Sequence, residues 1–125
     1  MGYLSNMEDD AMKHMIDHEL LEWSGQVISW YNPDVLKETE ELLKKYYTGK
    51  AKGELRFLIE LALKHVKDDP AYQVLELTYE KQWHSEHIAK HFKCSEDKVP
   101  KLLDKMIKRV AIDLFGVDAF AIDLD

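Results

Sequence analysis

SEHIAKHFKCSEDKVPKLLDKM, residues 85–106, decides the architecture. Ile88, Ala89 and Phe92 recur at the spacing of one helix face. Ser85 is of a type that caps a short helix. Lys93-Cys94-Ser95 then breaks the pattern, and Ser95 is placed to cap a second helix. Val99, Leu102, Leu103, Met106, Ile107 and Val110 form the apolar face of that second helix. Ala89 is small where two helices must cross closely. Cys94 falls where a small apolar group fills the angle between them. The expectation is a helix-turn-helix with a tight, three-residue turn.

Lys98, Lys101, Lys105 and Lys108 are spaced along one stripe of the second helix, beside its apolar face. Such a stripe suits the phosphates that flank a major groove. Pro100 interrupts the start of this helix. Inside a helix it removes a backbone bond and crowds the preceding turn, at about 3 kcal/mol. The simplest relief is a helix that begins near Val99-Pro100, with Ser95–Lys98 as a longer turn. That start moves Lys98 off the helix. Glu96 and Asp97 suit the positive end of the helix dipole but repel phosphate. No Arg, Asn or Gln lies between positions 96 and 108, so the commonest bidentate readers of guanine and adenine are missing.

Upstream, apolar residues keep recurring at three- and four-residue steps, and no stretch alternates as a strand. The pattern predicts helices over Ser5 to about Trp23, from Asn32-Pro33-Asp34 to about Tyr47, over Glu54–Lys67 and from Pro70 to about Lys81. Leu55, Leu58, Ile59, Ala62, Leu63 and Val66 are expected on one side of the third. Asn32 and Asp69 read as caps, each followed by a proline in the first turn. Thr48-Gly49-Lys50-Ala51-Lys52-Gly53 reads as a loop. The chain is thus expected to be an all-α, compact helical domain with a C-terminal helix-turn-helix. Residues 1–69 form a helical half serving as scaffold or oligomerisation unit. Residues 70–115 carry the helix-turn-helix, and 116–125 form an acidic, apolar tail.

Composition sets the outer limits. The 125 residues are 46% hydrophobic and 33% charged, which suits one globular domain. No apolar run approaches the roughly 20 residues of a membrane span. No basic, apolar, small-residue series opens the chain, so no secretory leader is expected. The single cysteine excludes an internal disulfide framework and suits a reducing cytoplasm. The net charge of −7 argues against a general polyanion binder. Base is concentrated only locally, in Lys98, Lys101, Lys105, Lys108 and Arg109, against Asp104.

Tyr72-Gln-Val-Leu-Glu-Leu-Thr-Tyr79, Trp83-His-Ser-Glu-His-Ile-Ala89, Phe92-Lys-Cys-Ser95, Val99 and Leu102 together resemble the fourth region of bacterial sigma factors. They resemble still more the phage transcriptional regulators of the RinA and ArpU type, which are similar to that region. The resemblance covers residues 70–115. It implies a phage or prophage-type transcription regulator that binds double-stranded DNA. By position, Glu96, Asp97, Lys98 and Lys101 would face bases, joined by Lys105. Lys93 and Ser95 would meet phosphate. The expected DNA-contacting set is Lys93, Ser95, Lys98, Lys101, Lys105 and Lys108.

A second function class stands beside this one. The same scaffold without DNA contact would be a protein-interaction module for a sigma factor, RNA polymerase or another partner. An α-helix opened by Pro100, with Glu96-Asp97 at its tip, favours the protein partner. A helix starting at Glu96, with all lysines in one open face, favours DNA. His84, His87, His91 and Cys94 have spacings seen in metal sites, as do His14 and His18, but surface and boundary histidines are the expected outcome. There is no Gly-rich phosphate loop, and Cys94 beside the histidines is a poor nucleophile if it is buried, so no catalysis, cofactor or metal is expected. Trp23, Val27, Ile28, Trp30 and Tyr31 suit core packing first and a subunit contact second. A helix-turn-helix acting on DNA also suits a homo-oligomer.

Overall fold

The computed structural model describes residues 32–116. The helix expected over Ser5–Trp23, the stretch Val27–Tyr31, His14, His18 and the tail beyond Gly116 lie outside them. Among the described residues every regular element is helical. The order is α1 (Pro33–Tyr47), α2 (Gly53–Val66), α3 (Gln73–Leu75, continued by a π-turn over Glu76–Glu80), α4 (Ser85–Phe92), a 3-10 turn (Glu96–Lys98) and α5 (Val99–Phe115). No helix among the described residues is long and apolar enough to cross a membrane.

α1 starts where its sequence says. The Asn32 side chain accepts from the Asp34 N–H at 3.0 Å, and Pro33 opens the first turn. Lys44 and Lys45 lie in the last turn, where the dipole favours cations. Gly49 takes φ 76°, a value natural for glycine, and turns the chain toward α2. Inside α1, Leu43 is fully buried and Thr39 returns its hydroxyl to the Val35 carbonyl at 2.8 Å.

α5 is the central helix. α1 and α2 both pack along it, and α3 and α4 close further sides. Val99, Leu102, Met106, Ile107, Val110 and Ala111 are buried on it. Phe92, Ile88 and Ala89 bring α4 onto the same core, and Cys94 packs at its edge. The small Ala89 and the Cys94 plug therefore sit where the spacing put them.

Two expectations fail. The helix expected from Pro70 to Lys81 is regular only over Gln73–Leu75. Beyond that the Lys81 N–H reaches back five residues to the Glu76 carbonyl at 3.0 Å. The wide turn lets Leu77 and Tyr79, about 200° apart on a regular helix, both enter the core. Tyr79 then donates its hydroxyl to Glu40 of α1 at 3.3 Å, and burial pushes its pKa upward, with Glu40 adding to the effect. The second failure concerns α2. Ile59, Ala62, Leu63 and Val66 are buried as expected, but Leu55 and Leu58 are exposed. They lie toward the edge of the stripe, where no described element covers them.

Candidate nucleic-acid interface

α4 ends in the residue that makes the turn. Lys93 adopts the left-handed conformation, φ 56° and ψ 40°, and its N–H reaches the Lys90 carbonyl at 3.3 Å. The Cys94 N–H donates to the Ala89 carbonyl at 3.0 Å. This pair of bonds closes the end of α4 as a left-handed C-cap does. Ser95 is extended, and the chain enters α5 in a new direction. A lysine at positive φ is strained by about 1–2 kcal/mol, less the entropy that glycine would lose. Lys93→Gly is therefore expected to raise stability by about 0.5–1 kcal/mol in urea unfolding. A loss of stability would mean that the lysine side chain holds the turn.

The other end of the turn follows the relief expected for Pro100. The α-helix begins at Val99 with Pro100 in its first turn, where the missing N–H has no intrahelical role. Glu96–Lys98 form a 3-10 turn ahead of it, in which the Lys98 N–H meets the Ser95 carbonyl at 3.1 Å. Capping differs from expectation. Ser85 is the first helical residue, with His84 at the cap position, and Ser95 makes no side-chain cap bond. The Ser95 hydroxyl instead serves the Asp97 carboxylate and lowers its pKa, helped by Lys101 and Lys98.

The lysines do not form the expected stripe. Lys93 and Lys101 are exposed, and Lys98 is half-buried. Lys108 is largely covered and pairs with Asp104 at 2.8 Å. Lys105 overturns the reading of a DNA contact: its side chain is 2% exposed. It sits inside because α5 is packed on several sides, so a position beside the apolar face is interior. Its Nζ lies 3.0 Å and 3.1 Å from the two oxygens of Asp69, whose side chain is 0% exposed. Arg109, one turn on, also donates to Asp69, and the Ala71 N–H adds a bond of 2.8 Å.

Asp69 was legible only as a cap, and it does hold the turn before α3. Its larger part, anchoring two cations of α5, was missed. Burial alone would raise its pKa. The Ala71 N–H, Lys105 and Arg109 outweigh that and hold the carboxyl below its ordinary value. The one available signal was Lys105 itself, between Leu102 and Met106 on an apolar face.

Among the described histidines, His65, His87 and His91 have local partners. His91 and Gln73 approach to 2.6 Å, and His87 and His91 both set ring edges near Trp83, over which Lys81 also lies. His65 lies 3.3 Å from Asp113. Among the described residues no three metal-ligating side chains converge. A cleft of about 390 Å³ lies between Tyr46, Tyr47, Arg56, Tyr72, Glu76 and Glu80. Arg56 is engaged there by Glu60 at 2.9 Å, and burial raises the pKa of Tyr47, with Tyr72 adding to the effect.

Compared with protein-family models, with curated proteins and with solved structures, the chain finds no match in any of the three.

Proposed function

We propose that this chain is a non-enzymatic, phage-type transcription regulator that contacts double-stranded DNA through its helix-turn-helix. The turn at Lys93–Ser95 carries the reading. It holds α4 against the central helix while Glu96, Asp97, Pro100 and Lys101 remain at the surface. That is the arrangement by which a second helix offers its N-terminal residues to a groove. Lys93, Ser95, Lys98 and Lys101 supply the phosphate contacts. Lys105 leaves the set, and Lys108 contributes at most from its margin. Specificity would then rest on Glu96, Asp97, lysine and the shape of the duplex.

Both features that separate the two readings, the start of the last helix and the placing of its lysines, fall to the interaction module. The α-helix opens at Val99-Pro100 with Glu96 and Asp97 exposed at its tip, and the lysines do not share one face. An acidic tip of this kind suits a basic protein surface, such as one on a sigma factor or RNA polymerase.

Fluorescence anisotropy with a mixed-sequence duplex at two salt concentrations separates the two. For DNA, binding weakens with salt, and Lys98→Ala/Lys101→Ala lowers affinity for all sequences alike. The salt slope should fall by about 2, because each lysine removed leaves one phosphate with its counterions. Lys105→Ala is unsuitable for this test, because it unpairs a buried carboxylate. No binding at low salt sinks the DNA reading and directs the search to polymerase subunits.

A further inference from the structure

α2 has two apolar sides. One buries Ile59, Ala62, Leu63 and Val66 in the core. The other carries Phe57, 63% exposed, Leu58, 45% exposed, and Leu61, 41% exposed. These three are neighbours, since Leu61 stands one turn from both Phe57 and Leu58. Single exposed apolar residues are ordinary, but a contiguous group that includes an aromatic marks a contact surface.

The ends of this stripe carry opposite charges. Glu54 lies one turn before Phe57 and Leu58, and Lys64 lies one turn after Leu61, both exposed. Glu54 and Lys64 are centred on position 59, and so are Phe57 and Leu61. A stripe with this order is complementary to itself turned end for end. In that antiparallel register Leu61 meets Phe57 and Leu58, while Glu54 meets Lys64 at both ends, each about 7.5 Å along the axis from the centre. A parallel register would set glutamate on glutamate and lysine on lysine.

We propose that the outer face of α2 is a self-association surface on which a second copy of this chain docks antiparallel, about a two-fold axis level with position 59 along the helix. The contact is isologous and closes at a dimer. One helix face falls at or below the low end of stable interfaces, about 1,200 Å² in total, so the dimer is concentration-dependent. It is independent of what the helix-turn-helix binds.

Analytical ultracentrifugation of the full chain, without DNA, from roughly 1 µM to 1 mM spans the range where such a dimer forms. The wild type is expected to pass from monomer to dimer. Phe57→Asp should remain monomeric with unchanged helical circular dichroism, because the side chain is outside the core. Glu54→Lys and Lys64→Glu, each alone, set like charges together and should raise the dissociation constant about tenfold. The Glu54→Lys/Lys64→Glu exchange should restore wild-type association. A monomer at every concentration overturns the proposal and leaves the face to residues 1–31 or a different protein. Failure of the exchange to restore the dimer overturns it equally, since only a second copy requires the two ends to match.

Discussion

Asp69→Asn is expected to lower the unfolding free energy by about 3–5 kcal/mol, the usual cost of breaking a buried ion pair by removing one partner. The amide loses the charge that holds Lys105 and Arg109, and Lys105 remains buried with its ammonium uncompensated. Adding Lys105→Met should recover much of the loss, because the methionine fills similar volume without a charge. Urea unfolding of the two single variants and the double gives the coupling directly. Additive losses would mean that the pair contributes nothing beyond its separate packing.

The same group sets an acid limit. Its folded pKa lies below the unfolded value of about 3.9. Asp69 therefore contributes stability that is complete above the unfolded value and lost as pH falls through the folded one. The gap between wild type and Asp69→Asn should be constant near neutral pH and narrow below about pH 4. A gap that does not narrow would show that the loss comes from packing rather than charge.

Phe92→Ala is the second large effect, at about 3–5 kcal/mol. Phe92 is 1% exposed and fastens the last turn of α4 to the central core. Its removal leaves a cavity beneath the turn that aims α5. The midpoint of urea unfolding should fall with the slope nearly unchanged. If the helix-turn-helix is the DNA surface proposed above, any DNA affinity should fall with it, although Phe92 is itself buried. DNA binding that survives this change would count against the helix-turn-helix as the proposed contact.

The sequence determined those features whose cause is local. Asn32-Pro33 starts α1 because a capping carboxamide and a fixed φ act within one turn. Pro100 moves the α-helix start to Val99 because its ring conflicts with the turn before it, wherever the helix lies in the fold. Ile88, Ala89, Phe92 and Val99 to Val110 announced the helix pair because helical spacing needs no knowledge of neighbours. The all-helical class followed from the same periodicity.

Only the tertiary structure decided which side of a helix is inside, and how widely. A stripe of lysines along the last helix reads as one solvated face if the helix packs on one side. It packs on several, so Lys105 is interior and needs a carboxylate from 36 residues earlier in the chain. Asp69 gives a local cap signal and no sign of a remote cation. The stripe on α2 reads as one core face, yet the core takes only part of it and leaves Leu55 and Leu58 outside. The π-turn after Leu75 arises in the same way, from the demand to bury both Leu77 and Tyr79. Caps and periods act over one turn of chain, whereas burial and ion pairing depend on segments that sequence distance does not order.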